Sequence, residues 1–321
     1  MSARAAQGVA GGVPGVYTSL EDLARLQFRA RGFSLRQRQP VHSLLAGRHA
    51  PRVRRRGLDL EDVRDYLPGD DVRAIDWRVT ARTGTAHTRI FDEERDRPAL
   101  LVVDQRLAMF FGTRLNLKSV TAAEAAALVA WRVFLSGDRV GAVVFDDAEL
   151  TALRPQRSRG QLLRILGAIA SRNRGLRADS ELEPAPGRLN EALERACSLV
   201  SHDHAVVVAS DFDGADAETR RLALRLAEHN DVIALLVHDP SSQDLPKRGR
   251  LVVSRGELQV LSDVNAPERR TALMALASRR VQPLLAWTRE LGISVLPLST
   301  AEDVAVQLRR LLGAGAARPR D

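Results

Sequence analysis

The sequence predicts an α/β fold, a mainly parallel sheet with helices on both faces, preceded by an irregular N-terminal segment of short strands and loops. Three observations point there. Ala99-Leu100-Leu101-Val102-Val103, Ala205-Val206-Val207-Val208-Ala209 and Val232 to Val237 are unbroken apolar runs. A strand with one wet face alternates apolar and polar residues, so unbroken runs read as strands buried on both sides. Stretches of helical spacing separate them, which is the pattern of βαβ crossovers. Hydrophobic residues make up 45% of the chain and aromatics only 4%, so the core is built from Leu, Val, Ile and Ala.

Taken in order, residues 1–18 read as a flexible tail without the apolar stretch of a signal peptide. Ser19 opens a helix reaching about Arg31, with Asp22 three residues on as in a capping box. Residues 32–98 are rich in Arg and Asp, poor in long apolar runs, and read as short strands and turns. The divisions are therefore 19–98 for the N-terminal helix and Arg/Asp-rich segment, 99–313 for the α/β domain, and 314–321 for a second tail. Within the domain, strands are expected at 99–104, 140–145, 205–209, 232–237 and 293–298. Residues 149–153 pair beside the second of these, and 250–254 with 257–261 form a hairpin turned at Arg255-Gly256. Helices are expected over 117–135, 158–171, 189–200, 216–229, 266–290 and 301–312, with a Gly/Pro/Arg loop at 174–187. No internal repeat is found.

Charge is unevenly placed. Residues 1–56 hold eleven arginines and two acids, so the rest of the chain sums to −1 although the whole carries +8. A basic arm at 25–56 is the feature a nucleic-acid-associated protein would use, and solvated arginines on a loose segment are the plainer reading. Lysine occurs only at Lys118 and Lys247. Cys197 is the single cysteine and falls within a helical pattern, so no internal disulfide forms; this fits a reducing compartment. No apolar run approaches the ~20 residues that span a bilayer. The chain is read as cytoplasmic.

Three strands run into carboxylates, Asp104, Asp146 and Asp211. In open α/β sheets ligands bind beyond the carboxyl ends of the strands, where strand order reverses. If the first and fourth strands flank that crevice, Asp104 and Asp211 face each other and gain from a cation between them, either Mg²⁺ or an arginine. Taken singly, each Asp reads first as a turn former or helix cap.

The sharpest local feature is Arg64-Asp65-Tyr66-Leu67-Pro68-Gly69-Asp70-Asp71-Val72-Arg73-Ala74-Ile75-Asp76-Trp77, followed by Ala81-Arg82. Pro68-Gly69 marks a turn, the Asp and Arg residues suit carboxylate–guanidinium pairing, and Tyr66 and Trp77 are read as anchors on an apolar surface. An ion-pair network that organises a loop accounts for it; so does a recognition surface for a partner protein.

This stretch resembles the hallmark R-x-Y-x-x-G-D-D-x-R-x-I-D-W-x-x-x-A-R of the domain-of-unknown-function family 58. Arg64, Tyr66, Gly69, Asp70, Asp71, Arg73, Asp76, Trp77 and Arg82 carry the match. Gly47-Arg48-His49, Gly57 and Glu93-Glu94 also fit, as do Lys118-Ser119-Val120-Thr121-Ala122-Ala123-Glu124, Gly137-Asp138-Arg139-Val140-Gly141 and Ser210-Asp211-Phe212. The resemblance covers roughly residues 45 to 300. It implies a von Willebrand A-like, Rossmann-type domain. It further implies association with a MoxR-type AAA+ ATPase, or with other von Willebrand A-like proteins, in maturation or assembly of a protein complex. No enzymatic activity comes with it.

A metal-binding von Willebrand A domain uses Asp-x-Ser-x-Ser after its first strand, a Thr from another loop and an Asp after the fourth strand. Here the first motif reads Asp104-Gln105-Arg106-Leu107-Ala108, with both Ser positions replaced. No Thr stands out among Gly187, Arg188 and Asn190. The expected edge is a degenerate metal-ion-dependent adhesion site of Asp104, Arg106, Ala108, Asp211 and Asp213. There Arg106 takes the place of a dication, which it would also repel. No cofactor is expected; Mg²⁺ on Asp104 and Asp211 is the alternative, and with Asp213 it would make a metal-dependent hydrolase. His202 and His204 lack the further ligands of a zinc site. Neither a nucleophile elbow nor a phosphate-binding Gly-Lys-Ser/Thr loop is present.

Overall fold

The computed structural model of the protein describes residues 14–35, 58–66, 72, 75–93, 97–180, 182–242, 250–255, 258–263, 284, 287 and 290–313. The chain divides into a larger unit, Met1–Gln37 with Arg97–Asp321, and a smaller one, Arg38–Asp96.

The larger unit is built on a six-stranded sheet. Its strands are β3 (Ala99–Asp104), β4 (Val140–Phe145), β5 (Leu150–Gln156), β6 (Ala205–Ser210), β7 (Asp231–His238) and β10 (Ser294–Ser299). The order across the sheet is β10-β7-β6-β3-β4-β5. All neighbours are parallel except β5, which runs antiparallel to β4. From β3 the chain steps outward through β4 and β5, then returns to β6 on the other side of β3. Strand order therefore reverses between β3 and β6, which in such sheets is the ligand crevice.

Period-2 geometry sorts the side chains. Ala99, Leu101, Val103, Ala205, Val207 and Ala209 join one buried cluster, with α3 (Lys118–Leu135), α4 (Arg159–Gly175) and α7 (Val304–Leu312). Leu100, Val102, Val206 and Val208 join the other, with α5 (Arg188–Leu199) and α6 (Ala217–Ala227). Every residue of β3, β4 and β6 is buried, and each large apolar side chain so removed from water contributes about 1.5–3 kcal/mol.

The N-terminal helix differs from its expected setting. α1 (Leu20–Arg25) has the Ser19/Asp22 capping box, but it ends early and gives way to a 3₁₀ turn over Leu26–Phe28. It was grouped with the Arg/Asp-rich segment, yet Leu23, Ala30 and Phe33 lie in the core of the larger unit, and the Trp131 indole N–H donates to the Leu23 carbonyl at 3.1 Å. The end of the expected tail is also held. Tyr17 donates its hydroxyl to the Leu176 carbonyl, and the Thr18 N–H donates to Asn173 Oδ1 at 2.8 Å. Asn173 further explains why α4 runs four residues past its expected end: its amide is buried and also donates to Gln105. α7 begins at Val304 because Asp303 caps it. Of the helix expected over 266–290, Leu284, Trp287 and Glu290 are helical and the rest lies outside the described residues. Two strands, β8 (Arg250–Arg255) and β9 (Leu258–Asp263), pair as the expected hairpin.

In the smaller unit, β1 (Leu58–Asp65) pairs antiparallel with β2 (His87–Glu93), with an irregularity between Leu60 and Asp62. Between them lies a helix the sequence reading lacked, α2 (Trp77–Thr83). Asp76 accepts the N–H groups of Arg78 and Val79, and Gly84 closes the helix in the left-handed region at φ 79°. These two caps stabilise a helix too short to show periodicity. Of the family-like residues, Gly69, Asp70, Asp71 and Arg73 lie outside the described set; Arg64 is in β1, Tyr66 follows it, and Arg82 is exposed on α2. Trp77 is no buried anchor: it stands 68% exposed on the first turn of α2.

Candidate functional site

Asp104 closes β3 and Asp211 directly follows β6, so the strand reversal brings them to one crevice. Between them lies Arg106. Its Nε donates to Asp104 Oδ1 at 3.0 Å and Oδ2 at 3.2 Å, and its Nη2 donates to Oδ2 at 2.7 Å. The same Nη2 lies 4.0 Å from Asp211 Oδ1. Nη1 donates to the Pro186 carbonyl at 3.2 Å, and the guanidinium carbon sits 5.6 Å from the centre of the Phe145 ring. Asp104 and Arg106 are 0% and 2% exposed.

The remaining oxygens are also taken. Ser210 Oγ donates to Asp104 Oδ2 at 2.6 Å and accepts the Phe212 N–H. Lys118, the first residue of α3, places its ammonium on Asp211 Oδ2, while Asp211 Oδ1 accepts the Asp213 N–H. Phe212 takes a positive φ of 54° and packs edge-on against Trp287. Gly214, also at positive φ, lies where a Cβ would meet Pro186 at 2.5 Å. The Pro186 segment thus closes directly over the cluster. Asp147 fastens it, accepting N–H groups from Leu107 and Ala185 at 2.6 and 2.8 Å.

Electrostatics follow from these contacts. Burial alone would pull the Arg106 guanidinium down, but Asp104 above all, with Asp211 and Asp147, raises it above its ordinary value, so it stays charged. Burial would lift the Asp211 carboxyl; the Lys118 ammonium, the Asp213 N–H and Arg106 instead hold it below the usual carboxylate range. Arg106 and Lys118 each answer one strand-end carboxylate, and Asp147 adds a further negative charge that Arg106 feels.

A divalent ion needs several open oxygens. Here Asp104 and Asp211 are engaged by Arg106, Lys118, Ser210 and Asp213. The two positions that hold hydroxyls in metal-binding domains are Arg106 and Ala108, and Ala108 is half-buried and has no ligand atom. Asn190 bonds Asp216 and Thr219, and Arg188 reaches the carbonyls of Asp147 and Ala148. The residues present do not fit a dication. Among the described residues no group of three or more His, Cys, Asp and Glu is arranged to hold one.

Asp104, Arg106 and Asp211 therefore meet, with Asp213 beside them through its backbone. Asp146 does not join them: it caps its own turn and pairs with Arg172. Its neighbour Asp147 faces the cluster instead. Lys118 and Ser210 fall in segments that fit the family pattern but receive no place at the site from sequence, and Asp147 receives none either. Lys118 carries one further signal, being one of two lysines in an arginine-rich chain and standing at a helix start.

The family model described as "Protein of unknown function DUF58" matches residues 62–282. Uncharacterized proteins of Mycobacterium tuberculosis and Mycobacterium bovis are 28% identical over 295 residues, covering 91% of this chain and 90% of theirs. Among solved structures, an aerotolerance-related membrane protein from Bacteroides fragilis, carrying multiple mutations to serine, aligns with a TM-score of 0.39 and 11% identity. That alignment covers 67% of this chain and 96% of that one. Among the described residues of the present chain, no helix is long and apolar enough to cross a membrane.

Proposed function

The chain belongs to the family described as protein of unknown function DUF58, and from that premise we propose that it is a non-catalytic protein-interaction module. In this reading the larger unit is a von Willebrand A-like domain that works in the cytoplasm with a MoxR-type AAA+ ATPase, in the maturation or assembly of a protein complex. The sheet order, with its antiparallel edge strand β5, supports the fold assignment. The single cysteine supports the compartment.

One observation carries the reading. Both strand-end carboxylates at the crevice are paired with cations, Asp104 with the buried Arg106 and Asp211 with the half-buried Lys118. A general base must reach a substrate proton and a nucleophile must reach an electrophile. Asp104 is enclosed and doubly bonded by Arg106, which leaves it neither role. What remains is a rigid carboxyl edge whose loops are tied to one another, suited to presenting a surface. No divalent ion takes part: Arg106 supplies internally the positive charge that a dication supplies elsewhere.

The test is co-purification of the full chain with the MoxR-type ATPase of the same genome, with ATP, with ADP and without nucleotide. The expected result is a complex in at least one state, unchanged by EDTA. Absence of association in every state would sink the partner. Turnover of a substrate by the purified chain, or a rise of several degrees in Tm with millimolar Mg²⁺ that Asp104→Ala removes, would sink the non-catalytic, metal-free reading.

A further inference from the structure

A second polar cavity lies on the same carboxyl edge, beyond the ends of β7 and β10. It holds about 400 Å³ and is lined by Arg114, His238, Ser299, Glu302, Gln307 and Arg310, with Pro240, Pro297 and Ala301 as apolar wall. That volume falls within the range of small-molecule pockets. We propose that this cavity binds a carboxylate carried on a short aliphatic body, with the Arg114 guanidinium as its principal partner.

Arg114 is held in place by its neighbours. The Thr113 N–H and hydroxyl both donate to Asp239 at 2.8 Å. The Asn116 N–H donates to the Thr300 carbonyl, and the Leu117 N–H to that of Gly15. Asp239 is tied in turn to Ser241 and Thr300. The loop is therefore clamped on both sides of Arg114, yet the exposed guanidinium has no hydrogen bond or ion pair among the described residues. In an ordinary surface arginine the side chain is free and so is its loop; here the backbone is fixed over the cavity.

A second, independent observation concerns His238, which lines the same cavity. Its Nδ1 is shielded from solvent and makes no well-formed hydrogen bond among the described residues, although the Asp239 backbone acts on the ring and pulls its pKa upward. A buried polar atom left under-satisfied costs up to about 1–3 kcal/mol, and a ligand engages it only if the ring turns toward the cavity. Burial outweighs the upward pull and depresses the His238 pKa, so the ring is neutral near pH 7 and adds no charge.

Charge and shape select the class. Arg310 is already paired with Glu302 at 3.0 Å, which leaves Arg114 as the lining cation without a partner among the described residues, while the nearby Asp239 carboxylate limits the negative charge the cavity accepts. A planar monoanion matches a guanidinium fork in a bidentate pair. A phosphate dianion would bring two charges to one open guanidinium and face the Glu302 carboxylate. The two prolines and Ala301 favour an apolar body behind the carboxylate. That ligand is either a free short-chain acid or the C-terminus of a peptide.

The full chain is titrated with butyrate, with tri-alanine bearing a free C-terminus, with its C-terminal amide and with inorganic phosphate. Binding is followed through the imidazole ¹⁵N signals of His238. Saturable shifts are expected with butyrate or free tri-alanine, at least ten-fold weaker in Arg114→Gln, whose Tm is unchanged. Preference for free tri-alanine over butyrate identifies a peptide terminus, and the reverse identifies a free acid. The proposal fails if neither carboxylate gives a saturable shift. It fails equally if the amide or phosphate binds as well as the carboxylates, or if Arg114→Gln binds as the parent does. None of these outcomes depends on the ATPase partnership.

Discussion

Two clusters on one carboxyl edge treat their charges in opposite ways. At the β3/β6 reversal each strand-end carboxylate has its cation: Arg106 on Asp104 and Lys118 on Asp211, with a proline segment overhead and Asp104 and Arg106 almost wholly enclosed. Beyond β7 and β10 the carboxylate of Asp239 accepts hydroxyls and backbone N–H groups, and the Arg114 guanidinium nearby has no partner among the described residues. The first arrangement is closed and contributes rigidity. The second leaves one guanidinium open, which is what the proposed carboxylate site requires. On the proposed reading the crevice is structural, and the edge position off it offers the binding site.

The largest expected effect is at the closed cluster. Arg106→Ala leaves Asp104 fully enclosed without its cation. Removing one partner of a buried pair costs about 3–5 kcal/mol, equivalent to a fall in Tm on the order of 10 °C for a domain of this size. Thermal unfolding of the variant checks it. A fall of only a degree or two would mean that Asp104 is reached by water, and the contrast between the two clusters would collapse.

A third carboxylate sharpens the comparison, because no cation among the described residues contacts it directly. Glu124 on α3 accepts the Asn116 side-chain amide at 3.2 Å. Burial, with Asp303 adding to it, raises its pKa from 4.5 to about 7, against smaller opposing contributions from Asn116 and Arg29. A folded pKa above the unfolded one means the native state binds more protons between the two values. Stability from this group is therefore full below about pH 4.5 and lost as pH rises toward 7. Glu124→Gln should stabilise the chain by about 1–3 kcal/mol at pH 8 and be neutral near pH 4.5. Denaturant unfolding at the two pH values reads the difference. An equal effect at both would show that packing, not ionisation, is being measured.

Asp239 shows the opposite sign. Burial would raise it, but Ser241, Thr300 and Thr113 lower its pKa from 3.8 to about 2. Its contribution is present above the unfolded value and disappears as pH falls through the folded one. Asp239→Asn should cost about 2 kcal/mol at pH 7, and the gap between variant and parent should close as pH falls from about 4 to 2. A gap that persists at pH 2 would assign the cost to lost hydrogen-bond geometry.

Much of this was legible in the chain because burial on both faces leaves so clear a mark. The central strands and their helices could be read from unbroken Val and Leu runs, and Asp104 and Asp211 from their position at strand ends. Arg106 was legible as a cation standing where a hydroxyl belongs. Its partners were not, because Lys118, Ser210 and Asp147 come together only once β3 and β6 are neighbours, and strand order leaves no local trace. Asp146 and Asp147 show the limit well. Both end the same strand, and one residue of register decides which turns to the cluster and which to Arg172. α2 escaped notice for a different reason: Asp76 and Gly84 define it by its ends, while Trp77, the largest of its apolar residues, faces outward and breaks the pattern a buried helix would show.

The smallest expected effect is the one that separates the two clusters most cleanly. Among the described residues Arg114 makes no ion pair, and it is exposed, so its guanidinium contributes nothing to the fold that solvent does not replace. Arg114→Gln should leave stability within about 0.5 kcal/mol of the parent, although Thr113 next to it is doubly bonded to Asp239. That near-zero change is informative only beside the large loss at Arg106, measured in the same unfolding assay. Two arginines eight positions apart, both on the β3–α3 connection, would then differ because one completes a buried charge balance and the other does not. If Arg114→Gln instead destabilised the chain by 2 kcal/mol or more, the guanidinium would be a strut of the edge. The loop clamp would then depend on Arg114 rather than Arg114 on the clamp, and the cavity would have no spare charge to offer a ligand.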